Sequence, residues 1–268
     1  MKPKIGALIP IRLTSERLPN KAIKILCGKP VVCHLLDRVF NSKYLTKENV
    51  VVCTTNDVSD DPLVEIVKSY GASVYRGSRN DIIKRFYDAI NEFNFDYVIE
   101  INGDNITAEP RYMDLTMEKL ISYNTLDIVT CYSLPLGVGS QSFSMNAIKK
   151  VYKRYKTKRN DTGFIYYFTK TGLCKHLDIE PISKNHIYDN IRLTLDYPED
   201  FEFFKVIFGE LYKEGEIFHF DDILNLIKKR PEIVKINNFL EKKYWKRTKA
   251  KVSLEYIDEK GKINEIKL

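Results

Sequence analysis

Three cations and two hydroxyls, Arg12, Thr14, Ser15, Arg17 and Lys21, fall within ten residues, directly after the apolar run from Ile5 to Ile11. A flexible polyphosphate needs several donors around it. Arginine offers a planar fork and lysine a mobile point charge. Ser15 and backbone N–H groups can fill the remaining acceptor positions. The loop is neither GxxxxGK[ST] nor GxGxxG. Far downstream, Asp104 ends the turn Asn102-Gly103-Asp104, and Asp196 follows the run Ile191–Leu195. Each alone is an ordinary turn or capping residue. Beside a basic phosphate loop, the two form a carboxylate pair able to hold Mg²⁺ against a triphosphate. Mg²⁺ takes one or two carboxylates and completes its shell with phosphate oxygens and water.

Two further polar clusters suit a nucleotide. Thr54-Thr55-Asn56-Asp57 presents short polar side chains for a base or ribose. Arg76-Gly77-Ser78-Arg79-Asn80-Asp81 contains a glycine that permits close backbone approach. Both also read as plain loops, with Asp81 capping a helix.

The elements that must position these residues alternate along the chain. Ile5–Ile11, Val50–Thr54, Ser73–Tyr75, Asp96–Ile101, Asp127–Ser133 and Ile191–Leu195 read as strands. Val31–Phe40, Asp61–Tyr70, Asp81–Phe93, Tyr112–Ser122, a segment from Tyr197 to about Tyr212, and Asp221–Lys229 carry helical spacing, with Pro30 and Pro62 at helix starts. Such alternation predicts an α/β fold, a mainly parallel sheet covered on both faces. Ligands bind such sheets beyond the carboxyl ends of the strands, and the polar clusters after Ile11, Thr54, Tyr75 and Ile101 all lie at that edge. Residues 132–190 are less regular and rich in Lys and Tyr, which suggests an insertion for acceptor contacts or oligomerisation. The tail alternates like a hairpin over Lys251–Ile257 and Lys262–Lys267.

Composition narrows the function classes. The 268 residues are 44% hydrophobic and 29% charged, ordinary for a globular protein. No apolar run approaches the roughly 20 residues of a membrane span, and the N-terminus does not resemble a signal peptide. A cytoplasmic protein without membrane partners is expected. Five cysteines without a CxxC pair and four scattered histidines argue against zinc or a disulfide framework. The net charge of +7 is concentrated in Lys149–Arg159 and Lys242–Lys251. These runs are solvated surfaces or a field for an anionic ligand. Without RNP, KH, helix-turn-helix or zinc-finger signatures, an anionic small substrate fits better than nucleic acid.

Taken together, these segments resemble a known family. IPIRLTSERLPNKAIKILCGKPVVCHLLDRV is similar to the N-terminal motif of cytidylyltransferases that make CMP-activated sugar acids, the CMP-Kdo and CMP-sialic acid synthetases. VVCTTNDVSDDPL, VYRGSRNDIIKRFYDA, YVIEINGDN and RLTLDYPEDFEFFKVI follow in the order found in the SpsF-like branch, and the resemblance spans most of residues 4–225. It implies a three-layer α/β/α, Rossmann-like (GT-A-like) nucleotidyltransferase domain over residues 1–240, with 132–190 as acceptor and dimer insertion and 241–268 as a basic segment and hairpin tail. It implies that Arg12, Ser15, Arg17 and Lys21 bind the CTP phosphates and that Leu13 belongs to the nucleotide site, with Arg17, Lys21 and Asp104 catalytic. Thr54, Thr55, Asn56, Arg76, Gly77, Ser78, Asp81 and Asn102 would line the nucleotide site, and Asp104 and Asp196 would bind Mg²⁺. Tyr132 and Gln141 would face an anionic sugar acceptor, and a homodimer is expected. The chain departs from the pattern at Thr14 and Asn20, where glycine is usual, at Gln141 in place of Glu, and at Asn160-Asp161-Thr162. A GT-A-type glycosyltransferase would carry Asp-x-Asp where this chain has Asn102-Gly103-Asp104.

Overall fold

The computed structural model describes residues 2–157 and 159–268. The chain opens with β1 (Ile5–Pro10), followed by a short ribbon of β2 (Ile25–Leu26) and β3 (Lys29–Pro30) and by α1 (Val31–Phe40). Then come β4 (Val50–Thr55), α2 (Asp61–Ser69), β5 (Ser73–Gly77), α3 (Ile82–Phe93), β6 (Tyr97–Glu100) and α4 (Pro110–Ser122). The second half supplies β7 (Ile128–Thr130), β8 (Gln141–Ser144), α5 (Met145–Arg154), α6 (Tyr166–Thr169) and β9 (His176–Asp178). It ends with α7 (Pro198–Leu211), α8 (Phe220–Lys229), α9 (Leu240–Lys251) and the hairpin β10 (Ser253–Ile257) and β11 (Ile263–Lys267).

Seven strands form the central sheet in the order β5-β4-β1-β6-β8-β7-β9. β1 pairs parallel with β4 and β6, and β4 with β5, whereas β8 runs antiparallel to both β6 and β7. The expected α/β fold with a mainly parallel mixed sheet is therefore observed. Alternate residues of β1 serve opposite faces, as the two-residue strand period requires. Ala7 and Ile9 pack with α1 and α2, and Leu8 packs with α3 and α5. Helices cover both faces, and α7 and α8 bury a third apolar cluster around Leu193, Leu195 and Phe204. The termini of α3 are set locally: the Asp81 carboxylate caps the Lys84 N–H at 2.9 Å, and Asn94 stops the helix at φ 55°.

Two expectations need correction. Ile191–Leu195 is not a strand. It is a buried extended segment whose Leu193 and Leu195 N–H groups donate to the carbonyls of Leu136 and Asp104. Gly137, at φ 104°, lets the chain pass so close that any Cβ there would overlap the Leu193 carbonyl. Residues 132–190 contain regular elements after all, because β8 and β9 join the central sheet and α5 lies beneath it. The α5 periodicity is obscured by lysines around a narrow face of Ala147, Ile148 and Val151. The basic run after Lys242 is the helix α9, held by Leu240 and Thr248 rather than by a broad apolar stripe. Lys158 of the first basic run lies outside the described residues, and the predicted tail hairpin is present, packed through Leu254 and Tyr256 against the α3–α5 face.

Candidate active site

The loop after β1 and the turn after β6 meet because their strands are neighbours in the sheet. Gly103 is required there: a Cβ would run into Ile11 and the Pro10 carbonyl. The turn thereby brings Asp104 to the basic loop after β1. The buried segment 191–195 delivers Asp196 from the other side. The two aspartates, 92 positions apart in the chain, share one ammonium group. Lys21 Nζ donates to Asp104 Oδ2 at 3.1 Å, to Asp196 Oδ1 at 3.0 Å and to the Leu195 carbonyl at 2.7 Å.

Asp196 is the centre of this network. Arg17 also donates to its Oδ1, and Arg192 Nη2 donates to its Oδ2 at 3.0 Å. Burial alone would raise the Asp196 pKa, but Lys21, Arg17 and Arg192 hold it well below the ordinary carboxylate range. The same attraction works in reverse on the cations. Burial would lower the pKa of Lys21, yet Asp104 and Asp196 raise it, and Arg17 is raised against burial chiefly by Asp196. Arg192 is fully buried and also grips Asp200, whose carboxylate caps the Asp196 and Tyr197 N–H groups at 2.8 and 2.9 Å. Sequence reasoning missed Arg192 and Asp200. Their signal, charged residues at four-residue spacing, Arg192, Asp196 and Asp200, falls across the end of a run read as a strand and the start of α7.

The remaining loop residues are placed as follows. Arg12 reaches Asp161 at 2.8 Å, a partner that sequence spacing could not reveal. The Leu13 N–H donates to Asp60 at 2.7 Å, and its carbonyl accepts from Ser15 and Asn20, so the Leu13 backbone is used in folding the loop. Ser15 Oγ accepts from the Leu18 N–H at 3.3 Å. Asn20 adopts φ 57°, the left-handed conformation asparagine tolerates best after glycine, whereas Thr14 needs no positive φ.

The Thr54–Asp57 and Arg76–Asp81 clusters lie at the same sheet edge but bond mainly to themselves. Thr54 and Thr55 are buried and both hydroxyls donate to Asp60. Arg76 donates to the Thr55 and Asp57 carbonyls and to Asp61. The Asn56 N–H donates to the Gly77 carbonyl, and Ser78 Oγ accepts from the Asp81 N–H. Asp81 caps α3 and accepts from Tyr155 and Asn160. Arg85, also missed, is buried beneath this edge and donates to the carbonyls of Cys53, Ser78 and Arg79.

On the far side of the turn, Gln141 donates to Glu100, its neighbour across the β6–β8 pair. Glu100 is fully buried, its Oε1 has no partner among the described residues, and burial pushes its carboxyl up to about 8. Tyr132 is exposed and donates to Thr169 Oγ1 at 3.2 Å. Asn102 contributes its backbone carbonyl to the turn. Among the described residues no group of three or more His, Cys, Asp or Glu could hold a metal. The donor set is instead a pair of hard carboxylates already converging on one cation, which suits Mg²⁺ completed by phosphate oxygens.

A family model described as cytidylyltransferase matches residues 6–231. The chain is 31% identical over 246 residues to an uncharacterized protein of Methanocaldococcus jannaschii, covering 91% of this chain and 98% of the relative. It is 23% identical over 229 residues to the spore coat polysaccharide biosynthesis protein SpsF of Bacillus subtilis, covering 84% and 94%. A 3-deoxy-manno-octulosonate cytidylyltransferase of Brucella canis is 32% identical over 113 residues, covering 40% and 42%. A solved cytidylyltransferase structure from Leptospira borgpetersenii superposes with a TM-score of 0.76 at 28% identity, covering 86% of this chain and 96% of that one. No helix among the described residues is long and apolar enough to cross a membrane.

Proposed function

The chain belongs to the cytidylyltransferase family and is a CTP-dependent nucleotidyltransferase, and we propose that it transfers CMP to an acidic sugar of the 3-deoxy-2-keto type for glycan assembly. The observation that carries this reading is the convergence of Asp104 and Asp196 on Lys21 of the phosphate loop. The similarity to a spore coat polysaccharide biosynthesis protein and to a 3-deoxy-manno-octulosonate cytidylyltransferase supports the acceptor class.

In this reaction an acceptor oxygen attacks the α-phosphorus of CTP in line. The bond to the bridging β-phosphate oxygen breaks, pyrophosphate leaves, and the acceptor proton passes to solvent. Arg12, Arg17 and Lys21 bind and orient the triphosphate. Arg17 and Lys21 offset the charge that grows on the leaving pyrophosphate. Asp104 and Asp196 would hold Mg²⁺, which when bound supplies Lewis-acid polarisation of the phosphoryl oxygens. Arg192 and Asp200 keep Asp196 ionised and oriented. Gln141, fixed by Glu100, presents the acceptor side.

A pyrophosphate-release screen tests the proposal. Four nucleoside triphosphates with Mg²⁺ are paired with 3-deoxy-manno-octulosonate, N-acetylneuraminate and a set of sugar 1-phosphates. Release with CTP and a 2-keto acid is expected. Release only with a sugar phosphate would overturn the acceptor assignment.

A further inference from the structure

The cations of the phosphate loop are all engaged. Arg12 is paired with Asp161, Arg17 with Asp196, and Lys21 with Asp104 and Asp196. Those three cations meet three carboxylates, so the loop itself offers a triphosphate no surplus positive charge. The surplus lies on α9, beyond residue 231 where the family match ends. Arg247 Nη2 sits 3.1 Å from Glu16 at the loop, and Lys251 Nζ sits 3.9 Å from the same carboxylate. Lys243 has no carboxylate partner among the described residues, and its Nζ lies 5.1 Å from the centre of the Tyr197 ring. Arg17 of the phosphate loop also lies 5.1 Å from the centre of that ring. Tyr244, the next residue on α9, lies under Arg192 at 4.9 Å, and its pKa is raised by burial and by Asp104 and Asp196. The inward side of α9 thus touches the loop, the ring beside Arg17 and the arginine that holds Asp196.

We propose that α9 forms the outer part of the triphosphate site, with Lys243 and Arg247 as binding residues for the β- and γ-phosphates and for the pyrophosphate product. This rests on the triphosphate-transfer reading above and adds residues from outside the matched segment. Lys243, Arg247 and Lys251 set against Glu16 give the loop-facing side of α9 a local cationic excess suited to a phosphate anion. Lys242 and Lys249 are exposed on the same helix and make no hydrogen bond or ion pair with the loop among the described residues. They provide the internal control.

Trp245 is the sole tryptophan and its ring lies 5.3 Å from that of Tyr244, so the helix carries its own reporter. The test titrates the full chain with Mg²⁺ and inorganic pyrophosphate, then with Mg²⁺ and CTP, following Trp245 emission and heat at fixed ionic strength. The Lys243→Ala/Arg247→Ala double variant is expected to weaken pyrophosphate binding roughly tenfold or more, with partial recovery in Arg247→Lys. The Lys242→Ala/Lys249→Ala double variant is expected to change it less than about twofold. Equal losses in the two doubles, or no binding of pyrophosphate by the wild type, would overturn the proposal. Pyrophosphate binding that depends on Lys243 and Arg247 without turnover of CTP would sink the functional reading and leave this one standing. Turnover of CTP with binding indifferent to α9 would do the reverse.

Discussion

The two halves of the active edge of the sheet use similar residues to different ends. Beyond β4 and β5, the polar groups saturate one another: Asp60 takes both threonine hydroxyls and the Thr55 and Leu13 N–H groups, while Arg76 is spent on carbonyls and Asp61. Beyond β1 and β6, the partners are full charges, Lys21 and Arg17 against Asp104 and Asp196, and Asp104 keeps an exposed flank. The first half is a closed frame. The second is a set of ion pairs that, on the proposed function, an incoming triphosphate and Mg²⁺ exchange. Asp60 joins them, since its bond to Leu13 anchors the phosphate loop to the frame.

The largest test of this contrast is Asp196→Asn, with Asp104→Asn beside it. Pyrophosphate release should fall by roughly a thousandfold or more while the far-UV spectrum is retained. Undiminished release in either variant would remove that aspartate from the reacting half. Next comes Asp60→Ala, which strands buried donors and should cost about 3 kcal/mol in urea unfolding. Its CTP KM should rise through the loosened loop, with kcat changed less than about threefold. A collapse of kcat with unchanged stability would erase the distinction between frame and reacting half.

Glu100 offers a pH test. Its carboxyl is raised from 4.5 to about 8, so the folded protein holds a proton that the unfolded chain has lost across that window. Stability should therefore be highest below the unfolded value and fall as pH rises, by about 2 kcal/mol between pH 5 and 7. Glu100→Gln should flatten that slope in thermal melts, and an unchanged slope would assign it to another group. The smallest effect is expected for Thr55→Val, about 1 kcal/mol of stability without a change in kcat.

Much of this was legible in the chain. Hydrophobic periodicity located the alternating strands and helices, because each buries one face or both. Cations after a strand marked the loop whose Lys21 meets Asp104 and Asp196, and turn chemistry put Asp104 at the sheet edge. What stayed hidden depends on tertiary approach. Asp60 and Asp161 look like surface acids until Leu13 and Arg12 are brought to them. Thr54 and Thr55 look like ligand donors until Asp60 takes their hydroxyls. The segment before Asp196 has strand composition, but it has no ladder partner among the described residues and runs alongside Gly137 instead. The α9 helix lacked a broad apolar stripe, so its spacing could not announce it.

Lys21 between the two aspartates has a consequence for how the molecule is made and stored. A bare pair of converging carboxylates would repel itself and resist burial during folding. With the ammonium built into the same chain, the pair closes as soon as the first loop, the Asn-Gly-Asp turn and the 191–196 segment meet. Folding then needs no ion from outside. The site can wait, assembled and with its charges paired, until the substrates arrive.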